Sequence, residues 1–169
     1  ANSNLEESSL GGKEFYSASK ASAEHIIAAF INTMSRKDLN IGVVRSGNVL
    51  GGGDGGNDRI VTDIINSLKN NDDIYLRNPE SIRPWQYILD SLNGYLMTAE
   101  YCVKNNQNEV FNIGSSQNSE KKVLDLTENI IKNWNNDKNI EIKQKQNLFY
   151  ESEFLRINSQ KANDILGWK

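Results

Sequence analysis

The sequence is poor in the residues that build disulfides and metal centres: its 169 residues include one cysteine, one histidine and two prolines. Cys102 cannot form an intrachain disulfide, and no second Cys or His lies near it in sequence to share a metal ion. We therefore expect no metal site and an apolar packing role for Cys102. The low cysteine content indicates the reducing cytoplasm as the compartment.

An excess of charge of one sign and long apolar runs are also lacking. The chain has 19 Lys and Arg against 22 Asp and Glu, a net charge of -3, and no basic cluster that would attract nucleic acid or an anionic membrane. No run approaches the roughly 18 apolar residues of a membrane span. The first residues have neither the basic flank nor the apolar core of a signal peptide. We therefore expect neither nucleic acid nor a membrane as a partner.

Apolar spacing alternates between the periods of helices and strands along the chain. Helical spacing covers residues 16–35, 59–68, 92–103, 123–134 and 160–166, and strand-like runs cover 40–50, 74–77, 85–88, 110–113 and 140–143. This alternation predicts an α/β protein. A glycine-rich turn, GGGDGGND, follows one predicted strand and precedes a predicted helix, which is where functional loops are common.

Tyr16 and Lys20 form a YxxxK pattern at the start of the first predicted helix, and their spacing puts both side chains on one face. A lysine ammonium beside a phenol favours the phenolate, which can take a proton from a hydroxyl while hydride leaves the same carbon. Taken alone, the pattern more often marks an ordinary helix surface. His25 falls on another face of this helix, so we expect it to be structural.

Gly51, Gly53 and Gly56 have the GxGxxG spacing of a dinucleotide-binding fingerprint. That interpretation requires an acidic residue at the end of a second parallel strand. The available acids, Asp72 and Asp73, instead precede the next predicted strand. We favour a substrate loop over the fingerprint.

Three arginines, Arg59, Arg77 and Arg83, are candidates for binding a diphosphate, because guanidinium groups match its oxygens in geometry and charge. Pro84 and Trp85 follow the third arginine and would restrict the backbone and shield a site from water. Ordinary surface ion pairs are the competing interpretation of each arginine taken alone.

Taken in order, the motifs resemble the second half of a known family. They are YSASKASAE at 16–24, RSGNVLGGGD at 45–54, RNP at 77–79, IRPWQ at 82–86, FNIG at 111–114, and KA and LGW near the end of the sequence. This order is similar to that of extended short-chain dehydrogenases/reductases acting on nucleotide sugars. Within the family the RNP and IRPWQ segments most resemble CDP-glucose 4,6-dehydratases. Relatives acting on dTDP- or UDP-sugars usually read RDW or RDY where this chain has Arg83-Pro84-Trp85.

The resemblance implies an NAD-dependent lyase that converts a nucleotide-glucose to its 4-keto-6-deoxy sugar in cytoplasmic polysaccharide biosynthesis. Tyr16 would be the base at the sugar 4-hydroxyl, and Lys20 would favour the phenolate and hold the nicotinamide ribose. Hydride taken from C4 would return to C6 after water is eliminated across C5 and C6. The sequence leaves open CDP, dTDP or UDP as the nucleotide, and dehydration or epimerisation as the reaction.

The resemblance also implies binding residues. Ser46 and Gly47 would join Tyr16 and Lys20 at the cofactor. The implied substrate-binding residues are Asn48 at the sugar-diphosphate, Arg59 and Ile60 near the nucleotide, Arg77 and Arg83 at the base, ribose and diphosphate, and Glu151 in the ribose region. The main NAD fingerprint and the groups that eliminate water have no match here, and we expect them upstream of residue 1.

The implied fold is an incomplete Rossmann-type portion plus a smaller mixed α/β nucleotide-sugar-binding domain. Residues 1–50 would form the end of the NAD-binding domain, and residues 51–169 the substrate domain. Expected partners are the missing N-terminal half, in the same polypeptide or as a second chain, and a second copy bound through the helix at 16–35. The competing hypothesis is a truncated, catalytically incomplete module that binds a nucleotide sugar or only dimerises.

Overall fold

The computed structural model describes residues 3–33, 39–56, 58–115, 119–134, 139–146 and 155–169. Within these ranges the elements run, in chain order, α1 (Phe15–Thr33), β1 (Gly42–Ser46), β2 (Asn48–Leu50), α2 (Ile60–Asn70), β3 (Ile74–Leu76), β4 (Ile82–Tyr87), α3 (Ile88–Asn105), β5 (Glu109–Ile113), β6 (Glu120–Lys122), α4 (Val123–Asn133), β7 (Ile142–Gln144) and α5 (Gln160–Leu166). The predicted α/β class is confirmed. In the part of the chain described, no helix combines the length and apolarity needed to cross a membrane.

The first core forms on the parallel pair β1 and β5, which is covered by α3 and α5. Phe111 and Ile113 on β5 are fully buried, and such side chains each contribute about 1.5–3 kcal/mol to folding. Gly94 allows α3 to approach this strand, since a Cβ atom there would lie 2.7 Å from Cγ2 of Ile113. Cys102, also on α3, is buried as an uncharged packing residue, as predicted, and burial raises the pKa of its thiol.

The second core lies between α2, α4 and the parallel pair β3 and β7. Ile64 and Leu68 on α2 pack with Ile74 and Leu76 on β3, and none of the four is more than 2% exposed. The i, i+4 spacing on α2 and the i, i+2 spacing on β3 direct both apolar pairs toward one core. A separate three-stranded sheet contacts α3 of the first core and α4 of the second.

That sheet has β4 in the middle, parallel to β2 and antiparallel to β6. The first half of β4 pairs with β6 and the second half, from Trp85, with β2. Pro84 lacks a backbone N–H and lies just before the pairing with β2 begins, so the sheet tolerates it. The indole Nε1 of buried Trp85 donates to the carbonyl of Lys121 at 3.2 Å.

Several predicted boundaries change in the structure. The first helix is confirmed from residue 15 to Thr33, while Ser35 lies outside the described residues. Residues 85–88 were expected to be extended and the next helix to start at 92, but α3 already begins at Ile88. Asp90 lies in its first turn, where an acidic side chain is favourable. The strand predicted at 140–143 is observed at Ile142–Gln144.

Candidate active site

The YxxxK pair lies at the start of α1, as predicted. Lys20 Nζ is 5.3 Å from the centre of the Tyr16 ring, and both side chains are exposed. The carboxylate of Glu14 caps the helix, accepting from the backbone N–H groups of Tyr16 at 2.7 Å and Ser17 at 2.6 Å. Hydrogen bonds from Ser17 and from the Tyr16 backbone lower the pKa of Glu14. The cap fixes the first turn and so the direction in which Tyr16 leaves the helix.

Helix α1 has no buried residue among those described, so specific polar contacts connect it to the sheet. Arg45 on β1 donates through Nε and Nη2 to the carboxylate of Glu24, and through Nη1 to the carbonyl of Glu6 at 2.7 Å. Glu24 is four residues after Lys20, on the same face of the helix. Glu24 and Arg45 were not predicted as site residues. Both lie inside the motifs given above, and their opposite charges were the available signal.

The N-terminal segment is tied to the same sheet through Asn112, which is only 2% exposed. The Asn112 backbone N–H donates to Oε1 of Glu6 at 2.8 Å, and its Nδ2 donates to the carbonyl of Asn4 at 3.1 Å. Asn4 also forms an isolated parallel bridge with Ile157. These contacts fix the chain just before the helix that carries Tyr16.

Ser46, Gly47 and Asn48 form the passage from β1 to β2, on the strand that Arg45 joins to α1. The Ser46 Oγ atom is buried and has no hydrogen-bond partner in the part of the chain described. A Cβ atom at Gly47 would lie 2.9 Å from Cγ of Pro84, so only glycine allows β4 this close. Asn48 stands opposite Trp85 in the parallel pairing of β2 and β4.

A cavity of about 760 Å³ opens between β2, the glycine-rich loop, α2, β3 and β4. Five residues implied in substrate binding line it: Asn48, Arg59, Ile60, Arg77 and Arg83. Its volume is within the range of small-molecule sites, roughly 300–1,000 Å³. Tyr16, Lys20, Ser46 and Gly47 do not line this cavity. Glu151 lies outside the described residues.

Two of the three cavity arginines face carboxylates of the glycine-rich loop. Arg59 Nε is 3.4 Å from Oδ2 of Asp54, and Arg77 Nη2 is 3.9 Å from Oδ1 of Asp58. Asp63 also lines the cavity, and its pKa is raised by burial and by the nearby charge of Asp58. The oxygens of an anionic ligand would therefore replace these carboxylates beside the arginines.

The glycine-rich loop lies beside the arginines at the cavity. Gly51 and Gly53 line the cavity, and Thr62 Oγ1 donates to the carbonyl of Asp54 at 3.0 Å. Asp73, which the fingerprint interpretation would need as a ribose acid, instead accepts from Lys143 Nζ at the edge of β3 and β7. The pairing of Asp73 with Lys143 therefore disfavours the interpretation of the glycine-rich loop as a dinucleotide fingerprint.

No group of three or more His, Cys, Asp or Glu within the described ranges could hold a metal ion. His25 is exposed on α1. The chemistry available to the described residues is acid-base transfer at Tyr16 beside an ammonium group, together with anion binding in the arginine cavity.

Comparison with known proteins gives consistent matches. The model of the NAD dependent epimerase/dehydratase family matches residues 1–114. A CDP-glucose 4,6-dehydratase of Salmonella typhimurium is 35% identical over 167 residues, covering 94% of this chain and 46% of that protein. The chain thus spans about half the length of the curated relative it matches.

Solved structures share the fold. A dTDP-glucose 4,6-dehydratase of Bacillus anthracis in complex with NAD superposes with a TM-score of 0.76 at 22% identity, covering 100% of this chain and 51% of its own. A mutant UDP-glucuronic acid 4-epimerase of Bacillus cereus, in complex with UDP-4-deoxy-4-fluoro-glucuronic acid and NAD, gives a TM-score of 0.81 at 18% identity, with coverages of 100% of this chain and 51% of its own. Both matches include the whole of this chain, which confirms the predicted Rossmann-like fold.

Proposed function

The chain belongs to the NAD dependent epimerase/dehydratase family, and from that premise we propose that it carries part of the active site of an NAD-dependent CDP-glucose 4,6-dehydratase. The observation that carries the proposal is the single cavity in which three arginines lie beside Asn48. The 35% identity to a CDP-glucose 4,6-dehydratase supports the choice of CDP. The choice of CDP depends on this sequence similarity, because the two solved structures, at 22% and 18% identity, indicate the fold alone.

In this proposal the cavity holds the nucleotide diphosphate. Arg77 and Arg83 supply planar donors for its oxygens, and Asn48 lies where the diphosphate meets the sugar. Arg59 and Ile60 lie at the start of α2 and contact the nucleotide. Glu151 is proposed for the ribose by resemblance alone. Binding through the nucleotide positions the sugar toward α1, where the reacting groups are.

Tyr16 acts as the base, taking the proton of the sugar 4-hydroxyl onto its phenolate oxygen. Lys20, 5.3 Å from the centre of the Tyr16 ring, stabilises the phenolate and donates to the nicotinamide ribose. The partnerless Oγ of Ser46, beside Gly47, provides a donor that a bound cofactor can satisfy, so these residues fit NAD. NAD, if held by Ser46, Gly47 and Lys20, would be the oxidant that accepts hydride from C4 and gives it back at C6.

The proposed assembly has further parts. The main NAD fingerprint and the groups that eliminate water belong to an N-terminal half, in the same polypeptide or on a second chain. We also propose the boundary near residue 50, a cytoplasmic location, and a homodimer through the helix at 16–35. Supporting the dimer, α1 leaves Phe15, Ile26 and Phe30 exposed, by 96%, 69% and 42%. That apolar surface also supports the alternative of an incomplete module that binds a nucleotide sugar or dimerises.

The test is to combine the chain with the N-terminal half, in the same polypeptide or as a second chain, to incubate the combination with NAD and CDP-glucose, dTDP-glucose or UDP-glucose, and to follow the products by mass spectrometry. The proposal expects loss of water from CDP-glucose, with a 4-keto-6-deoxy product. Preferred turnover of dTDP-glucose would overturn the choice of CDP. Inversion at C4 without loss of water would identify an epimerase. Calorimetric binding of CDP-glucose without any turnover would favour the binding module.

A further inference from the structure

The arginine cavity contains a carboxylate that the proposed function leaves without a role. Asp63 lies in the first turn of α2, four residues after Arg59, and both residues line the cavity. The other two lining carboxylates, Asp54 and Asp58, each face an arginine, at 3.4 Å and 3.9 Å. Among the residues that the structure describes, none donates a hydrogen bond to the side chain of Asp63 or forms an ion pair with it. Asp63 is thus the cavity carboxylate that is available to a ligand.

Electrostatics determine which part of a nucleotide sugar can lie against Asp63. Burial raises the pKa of this carboxyl, and the nearby charge of Arg77 opposes the shift, so the two side chains share one region of the cavity. A carboxylate repels a phosphate placed directly against it. The proposed function also puts the sugar near Asn48 and the nucleotide near Arg59, one helical turn before Asp63. The uncharged base is therefore the part of the ligand that suits this position.

An aromatic surface lies in the same cavity. Ile74 and Leu76 on β3 are buried in the core beside α2, and Tyr75 between them points to the other side of the strand, with 57% of its surface exposed. Tyr75 lines the cavity, as does Arg77 just after the strand. Planar bases stack on aromatic rings with little regard to their identity. Tyr75 would therefore hold a base without distinguishing one pyrimidine from another.

The pyrimidine bases differ in the hydrogen-bonding group at position 4. Cytosine carries an amino group there, which donates, whereas uracil and thymine carry a carbonyl oxygen, which accepts. An ionised carboxylate only accepts. It therefore attracts the amino group of cytosine and repels the carbonyl oxygen of the other two bases, which is how one group can favour a ligand and reject its competitors.

We propose that Asp63 selects cytosine by accepting a hydrogen bond from the N4 amino group of the base, while the ring of Tyr75 stacks on it. This inference rests on the proposed function, in which Arg77 and Arg83 bind the diphosphate of the nucleotide sugar. Those arginines serve any nucleoside diphosphate equally, because the diphosphate is the same in each. Asp63 supplies the physical basis for choosing CDP.

The experiment measures the dissociation constants of CDP and UDP by calorimetry at neutral pH, with the chain combined with the N-terminal half. We expect CDP to bind about tenfold or more tightly than UDP to the unmodified protein. Asp63→Asn can donate as well as accept, and Asp63→Ala can do neither, so both variants should bring the two affinities to within about twofold of each other. An acidic residue in a first helical turn also stabilises the helix. If that were its only role, both affinities would change together, and an unchanged ratio in the two variants would overturn the inference.

Asp58→Asn is the matched control, because it removes the same charge from the same cavity beside Arg77. It should change the affinities for CDP and UDP by the same factor and so preserve their ratio. Equal affinity of the unmodified protein for CDP and UDP would overturn the role of Asp63 but would leave the diphosphate-binding cavity standing. Absence of binding of either nucleotide would overturn the proposed function, and this inference with it.

Discussion

Arg45 on β1 donates through Nε to both carboxylate oxygens of Glu24 on α1, at 2.8 Å to Oε1 and 3.0 Å to Oε2. Both side chains are about one-fifth exposed. Because α1 buries none of its described residues, this pair is a principal link between the helix of Tyr16 and the strand that leads to Ser46. The orientation of the proposed base therefore depends on a charged pair rather than on apolar packing.

Arg45→Met should weaken the attachment of α1. It removes hydrogen bonds to a charged group and leaves the Glu24 carboxylate partly buried, so we expect a loss of about 2 kcal/mol in the free energy of unfolding. Chemical denaturation of the two proteins measures this difference in the free energy of unfolding. Glu100→Gln breaks an exposed pair with Lys104 and should change stability by about 0.5 kcal/mol or less. Equal effects of the two substitutions would contradict the role given to Arg45.

Tyr16→Phe should abolish turnover without preventing substrate binding. The ring and its packing remain, but the group that takes the proton of the 4-hydroxyl is lost, so we expect kcat to fall by about 10²- to 10⁴-fold. Steady-state kinetics and calorimetry with CDP-glucose, both with the N-terminal half present, separate the two effects. Tyr95→Phe, on an exposed tyrosine of α3, should leave both unchanged. Normal turnover by Tyr16→Phe would refute the assignment of the base.

Asp58→Asn should tighten binding of CDP. The Asp58 carboxylate lies 3.9 Å from Arg77 Nη2 and is 86% exposed, so it competes weakly with a diphosphate for that arginine. We expect affinity to rise about two- to fivefold at low salt and less at high salt. Asp72→Asn removes an equal charge outside the cavity and serves as the control. Weaker binding by Asp58→Asn would show that this carboxylate helps to hold the nucleotide.

The free energy of unfolding should fall at acid pH, because the ion pair between Asp73 and Lys143, which links the ends of β3 and β7, is lost there. Hydrogen bonds from Lys143 and from the backbone of Glu141 lower the pKa of Asp73 below its ordinary value. A lowered folded-state pKa stabilises the protein above the unfolded-state pKa, and this contribution is lost as pH falls through the folded-state value. Asp73→Asn should flatten the pH dependence of the melting temperature between neutral pH and acid. Lys143→Met should flatten it as well, and an unchanged slope in both would contradict the assignment.

The sequence predicted the elements with strong apolar spacing. Ile64 and Leu68 on α2 and Ile74 and Leu76 on β3 follow helix and strand periods, and those elements were predicted to within about two residues. Strand β6 was missed because its sequence, Glu-Lys-Lys, has no apolar alternation and depends on pairing with β4. Pairing of this kind is a tertiary effect that local sequence does not contain.

The residues of the candidate site could be proposed from the sequence, but their positions relative to one another could not, except within one helix. Tyr16 and Lys20 meet because helical spacing alone brings them together. Asn48 and Arg83, by contrast, come together through the parallel pairing of β2 and β4, which no local pattern specifies.

Trp85 gives the chain a built-in optical probe of the arginine cavity. Trp85 is 9% exposed and lines that cavity, so a molecule that enters it changes the surroundings of this chromophore. The other two tryptophans, Trp134 and Trp168, do not line the arginine cavity. With both replaced by phenylalanine, tryptophan emission would follow the filling of this cavity without an added dye.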